Sequence, residues 1–283
     1  MILFKKAADL HKYIEAQRKK GKKLGFAPTM GALHPGHISL VEASRKANDI
    51  TISSIFVNPT QFNDPRDYEK YPVTIDKDIN YLDAAGCDIL FLPTVNEVYP
   101  TSFVKIHYDL GYLETILEGK FRPGHFQGVC MVVHRLLEMV RPDELYLGQK
   151  DYQQCMVIAR LIELIGMKDK IKVNISPTLR EPDGLAMSSR NVRLNEEERK
   201  RAPAIYHTLL HLKNNIQKGK LQNLLNDSTK QLTELGFNVD YVAIADAHTL
   251  EIIDDWDGKR SLVALVAAFN NEIRLIDNLL LQK

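Results

Sequence analysis

The sequence has few of the features that mark membrane proteins or disulfide-stabilised proteins. Its three cysteines, Cys87, Cys130 and Cys155, are odd in number and widely spaced, so neither a disulfide framework nor a CxxC metal site is predicted. No apolar run approaches the ~18 residues that a bilayer-spanning helix needs. The first residues also lack the long apolar core of a signal peptide. We therefore expect a soluble cytoplasmic protein with no membrane partner, whose cysteines are buried thiols.

An excess of charge of one sign is also absent. Lysine and arginine number 37, aspartate and glutamate number 36, and the formal net charge is +1. This balance provides no global attraction to nucleic acid, so we expect no nucleic-acid partner. The net charge does not exclude a local basic patch. The 283 residues are 45% hydrophobic and 26% charged, which is typical of a globular chain with one large domain or two moderate ones.

Segments with strand and helix patterns alternate from residue 1 to about residue 176. The predicted strands are 23–27, 50–57, 88–92, 143–147 and 171–175, and the predicted helices are 6–20, 38–47, 74–85, 125–140 and 151–165. Alternation of this kind is typical of a parallel sheet with helices on both faces. We therefore predict an α/β domain, 1–176, with a Rossmann-like doubly wound parallel sheet, in which ligands bind beyond the carboxyl ends of the strands.

The pattern changes after the loop 177–194. Asn195 and Glu198 have the spacing of a capping box for a helix near 196–217. A second helical stretch ends by Gly236, and three strand-like segments follow at 239–245, 261–268 and 272–276. These elements predict a smaller α+β lid domain, 177–283, with a small antiparallel sheet.

The segment 28–37, PTMGALHPGH, lies between an apolar strand and a helical pattern. A turn in that position aims free backbone N–H groups at an anion. Gly31 and Gly36 allow the backbone to approach a ligand closely, and His34 and His37 can face the same phosphate oxygens. A single histidine here would be read as a helix cap or a turn residue, whereas the pair favours a nucleotide site.

Two further loops are open to two interpretations each. The loop NPTQFN at 58–63 follows a strand and carries amides that could bind a small polar substrate, but Asn-Pro also favours a plain turn. Arg122 and His125 lie at a predicted helix start, where anions are readily held, or in a solvated loop.

The segment GQKDYQQ at 148–154 links a strand to a helix. Gly148 permits close backbone approach, Lys150 supplies a cation for phosphate, and Gln154 lies one turn into the helix. Asp151 is equally compatible with a simple N-cap and with a ligand contact.

The segment REPDGLAMSSRN at 180–191 combines two hydroxyls and a guanidinium on a glycine-containing loop. Such a loop can clamp phosphate oxygens and close over ATP. An ordinary interdomain linker is the alternative, although Ala186 and Met187 are unusually apolar for one.

The order and spacing of these motifs resemble those of the pantothenate synthetase (pantoate–β-alanine ligase) family, within the HIGH-motif nucleotidyltransferase superfamily. The motifs are HPGH at 34–37, NPTQF at 58–62, FRPGHF at 121–126, GQKDYQQ at 148–154 and GLAMSSRN at 184–191. The resemblance implies condensation of (R)-pantoate with β-alanine to pantothenate, AMP and diphosphate, with ATP as a substrate and a pantoyl-adenylate as intermediate. It also implies Mg²⁺ dependence, with the ion held mainly by the ATP phosphates, and a homodimer.

Carried over position by position, the resemblance also implies site residues. The implied ATP contacts are Met30, Gly31, Ala32, Leu33, His34, Pro35, Gly36, His37, Gly148, Gln149, Lys150, Asp151, Leu179, Met187, Ser188, Ser189 and Arg190. Gln61 would contact both pantoate and β-alanine, and Gln154 would hold pantoate. His37 is the implied catalytic residue, and the charge that develops on the phosphate would also be stabilised by His34, Lys150, Ser188, Ser189 and Arg190.

The sequence departs from the family pattern at two places. Gln149 stands where many relatives have glutamate, and the loop 187–190 lacks the paired lysines of the synthetase loop that it otherwise resembles. Asp76 and Asp78 are read as metal-shell groups or as a solvated helix start. Another nucleotidyltransferase and a non-catalytic nucleotide sensor stay as alternative functions, and the intact histidine pair favours an enzyme.

Overall fold

The computed structural model describes residues 1–281, and the chain forms two compact units. The first comprises Met1–Gln149 and Gln154–Pro177, and the second comprises Lys150–Gln153 and Thr178–Lys283. The division into functional domains at 176/177 stays a prediction, because these units are defined by compactness and not by what they bind.

A six-stranded sheet forms the centre of the first unit. Its strands are β1 (Ile2–Phe4), β2 (Leu24–Thr29), β3 (Ile50–Ile55), β4 (Ile89–Phe91), β5 (Glu144–Gly148) and β6 (Lys172–Ser176). The spatial order is β1-β4-β3-β2-β5-β6, and every neighbouring pair is parallel. The strand order therefore reverses between β2 and β5, which is where a doubly wound sheet opens a crevice for ligands.

Eight helices accompany this sheet in the described part of the chain before residue 178. They are α1 (Ala7–Arg18), α2 (Pro35–Ala47), α3 (Pro65–Glu69), α4 (Ile75–Ala84), α5 (Val95–Val98), α6 (Leu117–Phe121), α7 (His125–Val140) and α8 (Tyr152–Leu164). Three short 3-10 turns lie at Pro59–Gln61, Gly111–Glu114 and Gln149–Asp151.

Both faces of the sheet are buried, because successive strand residues enter different apolar clusters. In β2, Phe26 packs into a cluster with residues of α1, α7 and α8, whereas Ala27 packs into a cluster with residues of α2 and α4. Phe91 and Leu90 of β4 divide between the same two clusters. Helices therefore cover both faces, and the predicted doubly wound parallel sheet is confirmed.

Up to residue 281, the second unit has three α-helices after residue 178 and two antiparallel sheets. The helices are α9 (Glu196–Arg201), α10 (Ala204–Asn215) and α11 (Gln222–Glu234), and the strands are β7 (Gly219–Lys220), β8 (Asn238–Asp246), β9 (Asp255–Trp256), β10 (Leu262–Asn270) and β11 (Ile273–Leu280). One sheet has the order β11-β10-β8, and β7 pairs with β9. The predicted α+β character with a small antiparallel sheet is confirmed.

Two predicted elements need correction. The helix expected near 196–217 is interrupted, because Pro203 cannot donate a backbone hydrogen bond and stands at the N-cap of α10. Its capping box is confirmed, since the Asn195 side chain accepts from the Glu198 N–H at 2.9 Å and Glu198 accepts from the Asn195 N–H at 3.0 Å. The last strand is longer than 272–276, and β1 was not predicted.

The helices within residues 1–281 include none that is both long enough and apolar enough to cross a membrane. The predicted burial of Cys87, Cys130 and Cys155 is confirmed, and all three are free thiols. Burial raises the pKa of Cys87 and of Cys130 to about 12, so these two thiols stay protonated and are poor nucleophiles.

A carboxylate at the amino end of β5 connects three strands. Glu144 is 3% exposed, and it accepts hydrogen bonds from the Lys23 ammonium at 2.7 Å, from the Asn174 amide at 3.0 Å and from the Tyr146 hydroxyl. Burial alone would raise the pKa of Glu144, but the bonds from Lys23 and Tyr146 outweigh it and lower the pKa to about 2.

We expect Glu144→Gln to lower the free energy of unfolding at neutral pH by about 1.5–3 kcal/mol, the range for hydrogen bonds to a charged group. The pKa of Glu144 is about 2 in the folded protein and about 4.3 in an unfolded chain. The stabilisation is therefore complete above about pH 4.3 and is lost as the pH falls towards 2, so the deficit of the variant should shrink over that window. Urea denaturation from neutral pH down to about pH 3 measures this difference.

Glu163→Gln is the matched control. Glu163 pairs with two cations, Lys168 and Arg160, as Glu144 does with Lys23 at 2.7 Å and Lys172 at 3.6 Å, but the Glu163 side chain is 39% exposed. We expect a much smaller effect there. A deficit of Glu144→Gln that does not change with pH would contradict the assignment of its stability to the ionised carboxylate.

Candidate active site

The loop between β2 and α2 carries the predicted histidine pair and reverses the chain through left-handed backbone. Gly31 has φ +84° and Ala32 has φ +49°. This left-handed conformation is unfavourable for a residue that has a Cβ atom, such as Ala32. Thr29 supports the turn, because its hydroxyl accepts from the Gly31 N–H at 3.2 Å and donates to the Ser54 carbonyl at 2.7 Å. Leu33 is 5% exposed, so the middle of the loop is tied into the core.

Asp78 of α4 holds this loop in place. Its two carboxylate oxygens accept from the N–H groups of Ala32 at 2.9 Å and Leu33 at 2.8 Å, and the Thr74 hydroxyl donates to it at 3.0 Å. The side chain is fully buried, so the interpretation as a solvated helix start is wrong for Asp78, whereas Asp76 is exposed. A buried carboxylate needs such donors, and here two of them come from the strained turn.

His34 and His37 lie side by side where α2 begins. His34 is the N-cap with extended backbone, and the ring centroids of the two histidines are 3.9 Å apart at 39°. The His34 backbone N–H donates to Nδ1 of His37 at 3.4 Å. Nδ1 of His37 must then be an acceptor, so the neutral ring carries its proton on Nε2. The structure thus brings the predicted pair together at a helix N-terminus, where the dipole favours an anion.

Gln61 follows β3 and meets the histidine-bearing loop. Its side-chain amide donates to Sδ of Met30 at 3.1 Å and accepts from the Asn58 side-chain amide at 3.1 Å. Asn58 itself is fully buried, donates to the Gly128 carbonyl at 3.1 Å and accepts from the Tyr99 hydroxyl at 2.9 Å. Asn58 is therefore a structural residue that positions the turn, and Gln61 is the amide of this loop that remains half-buried.

His125 and Arg122 support the same turn from the start of α7. Nε2 of His125 accepts from the Arg122 guanidinium at 3.1 Å, so the proton of the neutral ring is on Nδ1. Nδ1 donates this proton to the Gln61 carbonyl at 2.7 Å. A Cβ atom at Gly128 would lie 2.2 Å from the Thr60 carbonyl oxygen, so only glycine lets α7 approach the turn this closely. His125 is 5% exposed, and the interpretation of this segment as a solvated loop is wrong for it.

Gly148 closes β5, the strand next to β2 across the point of reversal. Gln149 follows in the 3-10 turn, and Gln154 lies in the first turn of α8. Gly148, Gln149 and Gln154 are all partly exposed. The carboxyl ends of β2, β3 and β5 thus carry every predicted site residue that belongs to the first unit.

The second unit holds the remaining predicted residues. Leu179 and Met187 face each other across a hairpin, in which the Met187 N–H donates to the Leu179 carbonyl at 3.0 Å. Ser188 caps the 3-10 turn Ser189–Arg193 by accepting from the Arg190 N–H at 3.3 Å. Lys150 and Asp151 also belong to this unit. Leu185 and Ala186 are each 4% exposed, which explains the presence of apolar residues in a loop that resembles a linker.

No cluster of three or more His, Cys, Asp or Glu side chains that could hold a metal ion occurs among residues 1–281. The carboxylate of Asp78 is already engaged by Ala32, Leu33 and Thr74, so it does not fit the interpretation as a metal-shell group. Mg²⁺ in nucleotide enzymes is usually bound by one or two carboxylates together with substrate phosphates. Residues 1–281 provide no dedicated cage for it.

We expect Asp78→Asn to loosen the loop, because asparagine offers one acceptor oxygen and turns an N–H group towards the other backbone amide. The free energy of unfolding should fall by about 1–3 kcal/mol. Amide hydrogen exchange should speed up at Ala32 and Leu33 more than within α7. Asp76→Asn is the control, because Asp76 is exposed in the same first turn of α4, and it should change neither quantity. Equal effects of the two substitutions would refute the anchoring role.

Comparison with known proteins identifies the family. The model of the family described as pantoate-beta-alanine ligase matches residues 2–280. Pantothenate synthetase from Porphyromonas gingivalis W83 is 42% identical over 280 residues, which cover 99% of this chain and 99% of that protein. Pantothenate synthetase from Bacteroides fragilis YCH46 is 40% identical over 272 residues, which cover 96% of this chain and 95% of that protein.

Solved structures agree with this result. Pantothenate synthetase from Thermus thermophilus superposes with a TM-score of 0.92 at 40% identity, covering 100% of both chains. Pantoate-beta-alanine ligase from Francisella tularensis, complexed with beta-gamma ATP and beta-alanine, gives a TM-score of 0.83 at 37% identity, covering 100% of this chain and 98% of that one. The chain is therefore an enzyme of the pantoate-beta-alanine ligase family.

Proposed function

We propose that this enzyme condenses (R)-pantoate with β-alanine and converts one ATP to AMP and diphosphate. The observation that carries the proposal is the histidine pair 3.9 Å apart on an anchored loop, at the start of α2 and beyond the carboxyl end of β2. The names of the relatives supply the two acids, and the Francisella tularensis complex supplies ATP and β-alanine for that protein.

The first step activates the pantoate carboxylate, because a carboxylate is a poor acyl donor. A carboxylate oxygen attacks the α-phosphorus of ATP in line. The bond from the α-phosphorus to the oxygen bridging to the β-phosphate breaks, and diphosphate leaves with the electron pair. The product is a pantoyl-adenylate, a mixed anhydride. No covalent bond to the enzyme is needed, which is consistent with the protonated state of Cys87 and Cys130.

Charge that develops on the phosphate needs donors held in position before the reaction. His37 is suited to this role because Nδ1 accepts from the His34 backbone N–H, so the hydrogen-bond donor of the neutral ring is Nε2–H. In the second unit, Lys150 and Arg190 would add positive charge, and the hydroxyls of Ser188 and Ser189 would add hydrogen bonds. ATP would also contact the residues around these groups: Met30 to Gly36, Gly148, Gln149, Asp151, Leu179 and Met187.

Gln61 is proposed to bind both pantoate and β-alanine, and Gln154 to bind pantoate. The Gln61 amide is held by Asn58 and Met30 within the first unit, so its orientation is set before any substrate arrives. Amide groups can recognise the hydroxyls and carboxylate of a small acid without adding a charge.

The second step joins the two acids. The neutral amine of β-alanine attacks the acyl carbon, the bond from that carbon to the AMP phosphate oxygen breaks, and the amine releases a proton. A histidine can assist this proton transfer, because the unperturbed pKa of its imidazole lies near neutral pH. Mg²⁺, carried mainly by the ATP phosphates, would supply charge neutralisation at the diphosphate group.

Product analysis tests the proposal directly. Purified enzyme is incubated with ATP, Mg²⁺ and pantoate, with and without β-alanine, and AMP, diphosphate and pantothenate are quantified together. AMP that depends on β-alanine and matches pantothenate one for one is the expected result. Diphosphate without an amide would instead indicate another nucleotidyltransferase, and ATP binding without any product would indicate a nucleotide sensor.

We expect His37→Ala to reduce diphosphate release by about 10²–10³-fold, the cost of losing one donor to developing charge. The loss should appear with pantoate and ATP alone, before β-alanine is added, because His37 is assigned to adenylate formation. His207→Ala is the control, since His207 is an exposed histidine on α10 in the second unit. Near-normal diphosphate release by the His37 variant would overturn the assignment.

A homodimer and a cytoplasmic location complete the proposal. The homodimer follows from the family resemblance, and light scattering should give twice the chain mass. The cytoplasmic location is supported by three free, buried cysteines, which are usual in a reducing compartment. Cell fractionation that found the protein outside the cytoplasm would contradict it.

A further inference from the structure

Strand β11 of the second unit contacts both segments that carry the proposed phosphate-binding cations. Lys150 lies in one segment, and the hairpin that leads from Leu179 to Arg190 forms the other. These segments are separated in sequence by about thirty residues. Two adjacent residues of β11 make these contacts. The Asp277 side chain bonds to the hairpin, and the Asn278 side chain bonds to the Lys150 segment.

Asp277 binds the hairpin through Arg180. The guanidinium donates two hydrogen bonds to the Asp277 carboxylate, at 2.5 and 3.0 Å, and a third to the Asn278 carbonyl at 3.2 Å. Such a fork fixes the orientation of both groups as well as their distance. Asp277 is 4% exposed, so water does not compete for these bonds.

Arg180 passes this constraint to the rest of the hairpin. Its guanidinium donates to the Gly184 carbonyl at 3.1 Å and lies 4.0 Å above the ring of Tyr206. Arg180 and Ala186 are bridge partners, and the Asn191 amide donates to the Ala186 carbonyl at 3.0 Å. A continuous series of contacts therefore connects β11 to the Ser188–Arg190 segment.

Asn278 binds the other segment. It is 2% exposed, and its side-chain amide donates to the Lys150 backbone carbonyl at 2.9 Å. This bond fixes the point from which the lysine side chain departs. Burial raises the pKa of Asp277, and the hydrogen bonds and charge of Arg180 oppose that rise.

We propose that Asp277 and Asn278 are positioning residues that set the placement of Lys150 and of Ser188–Arg190 for the ATP phosphates. The inference rests on the proposed function, since it assigns those groups to phosphate. Neither residue is proposed to touch ATP. Buried ion pairs contribute little net stability compared with apolar packing, so a purely stabilising role explains a bidentate pair here poorly.

The test compares the binding of two ligands to the enzyme by calorimetry, and these are adenosine and the α,β-methylene analogue of ATP with Mg²⁺. The methylene group replaces the bridging oxygen at which the proposed reaction cleaves ATP, so the analogue binds without reacting. Adenosine lacks phosphates and reports general damage to the nucleoside site. The variants are Asp277→Asn and Asn278→Ala, and the second leaves the Arg180–Asp277 pair intact should the first fail to fold.

Asp240→Asn is the matched control. Asp240 accepts from Arg274 at 2.7 Å, both side chains are 15% exposed, and Arg274 lies on β11 three residues before Asp277. The pair therefore has similar chemistry on the same strand. This bond joins β11 to β8, and not to the Lys150 segment or the hairpin.

Asp277→Asn and Asn278→Ala should weaken binding of the ATP analogue by about tenfold, as expected when charged groups shift by a fraction of an ångström. Adenosine binding should change less than about twofold in both variants, and the control should change neither affinity beyond that limit. An unchanged ratio of the two affinities in both variants would overturn the inference, as would an equal change in Asp240→Asn. Failure of the wild-type enzyme to bind the ATP analogue would instead reject the proposed function.

Discussion

The hydrogen bonds from Ala32 and Leu33 to Asp78 are the contact on which the candidate site depends. They keep the chain between β2 and α2 in a left-handed turn that Ala32 would otherwise avoid, since its φ is +49°. This turn fixes the residue at which α2 begins, and it therefore also fixes the positions of His34 and His37. A fully buried carboxylate is costly unless donors surround it, and the strained amides are those donors. The hydrogen bonds between the loop and Asp78 thus offset both the strain of the turn and the cost of burying the carboxylate.

The amino ends and the carboxyl ends of the strands in the parallel sheet carry different kinds of side chain. Carboxylates at the amino ends of the strands bind cations and backbone amides, as Glu144 does with Lys23 and Asp143 does with the Leu24 N–H at 2.8 Å. The carboxyl ends of β2, β3 and β5 instead present histidine, amide and glycine backbone. All strands of a parallel sheet run in the same direction. Ion pairs can therefore stabilise the amino ends of the strands, while ligands can bind beyond the carboxyl ends.

Periodicity predicted most of the first unit because its strands are buried on both faces and its helices alternate with them. It missed β1, a strand of three residues with an exposed start, and it joined α9 to α10 across Pro203. The histidine pair was recognisable because its neighbours in the sequence are also its neighbours in space. Both interpretations of Asp78, as a metal-shell group and as a solvated helix start, missed its role because its two backbone partners lie 45 and 46 residues away, and no local pattern reports such contacts. The burial of Asn58 and His125 was hidden for the same reason.

The sequence by itself determined the order of strands and helices, the motifs that carry the family resemblance, and the residue types available for chemistry. These are local properties, set by hydrophobic spacing and by the conformational limits of proline and glycine. Only the tertiary structure decided which of the polar residues serve the fold and which stay accessible to a ligand. Asp78, Asn58 and Asp277 are engaged by backbone amides, carbonyls and Arg180, while Gln61 and His37 remain partly exposed. Burial decides this division, because a polar group removed from water must bond to protein, and its partners come from distant parts of the chain.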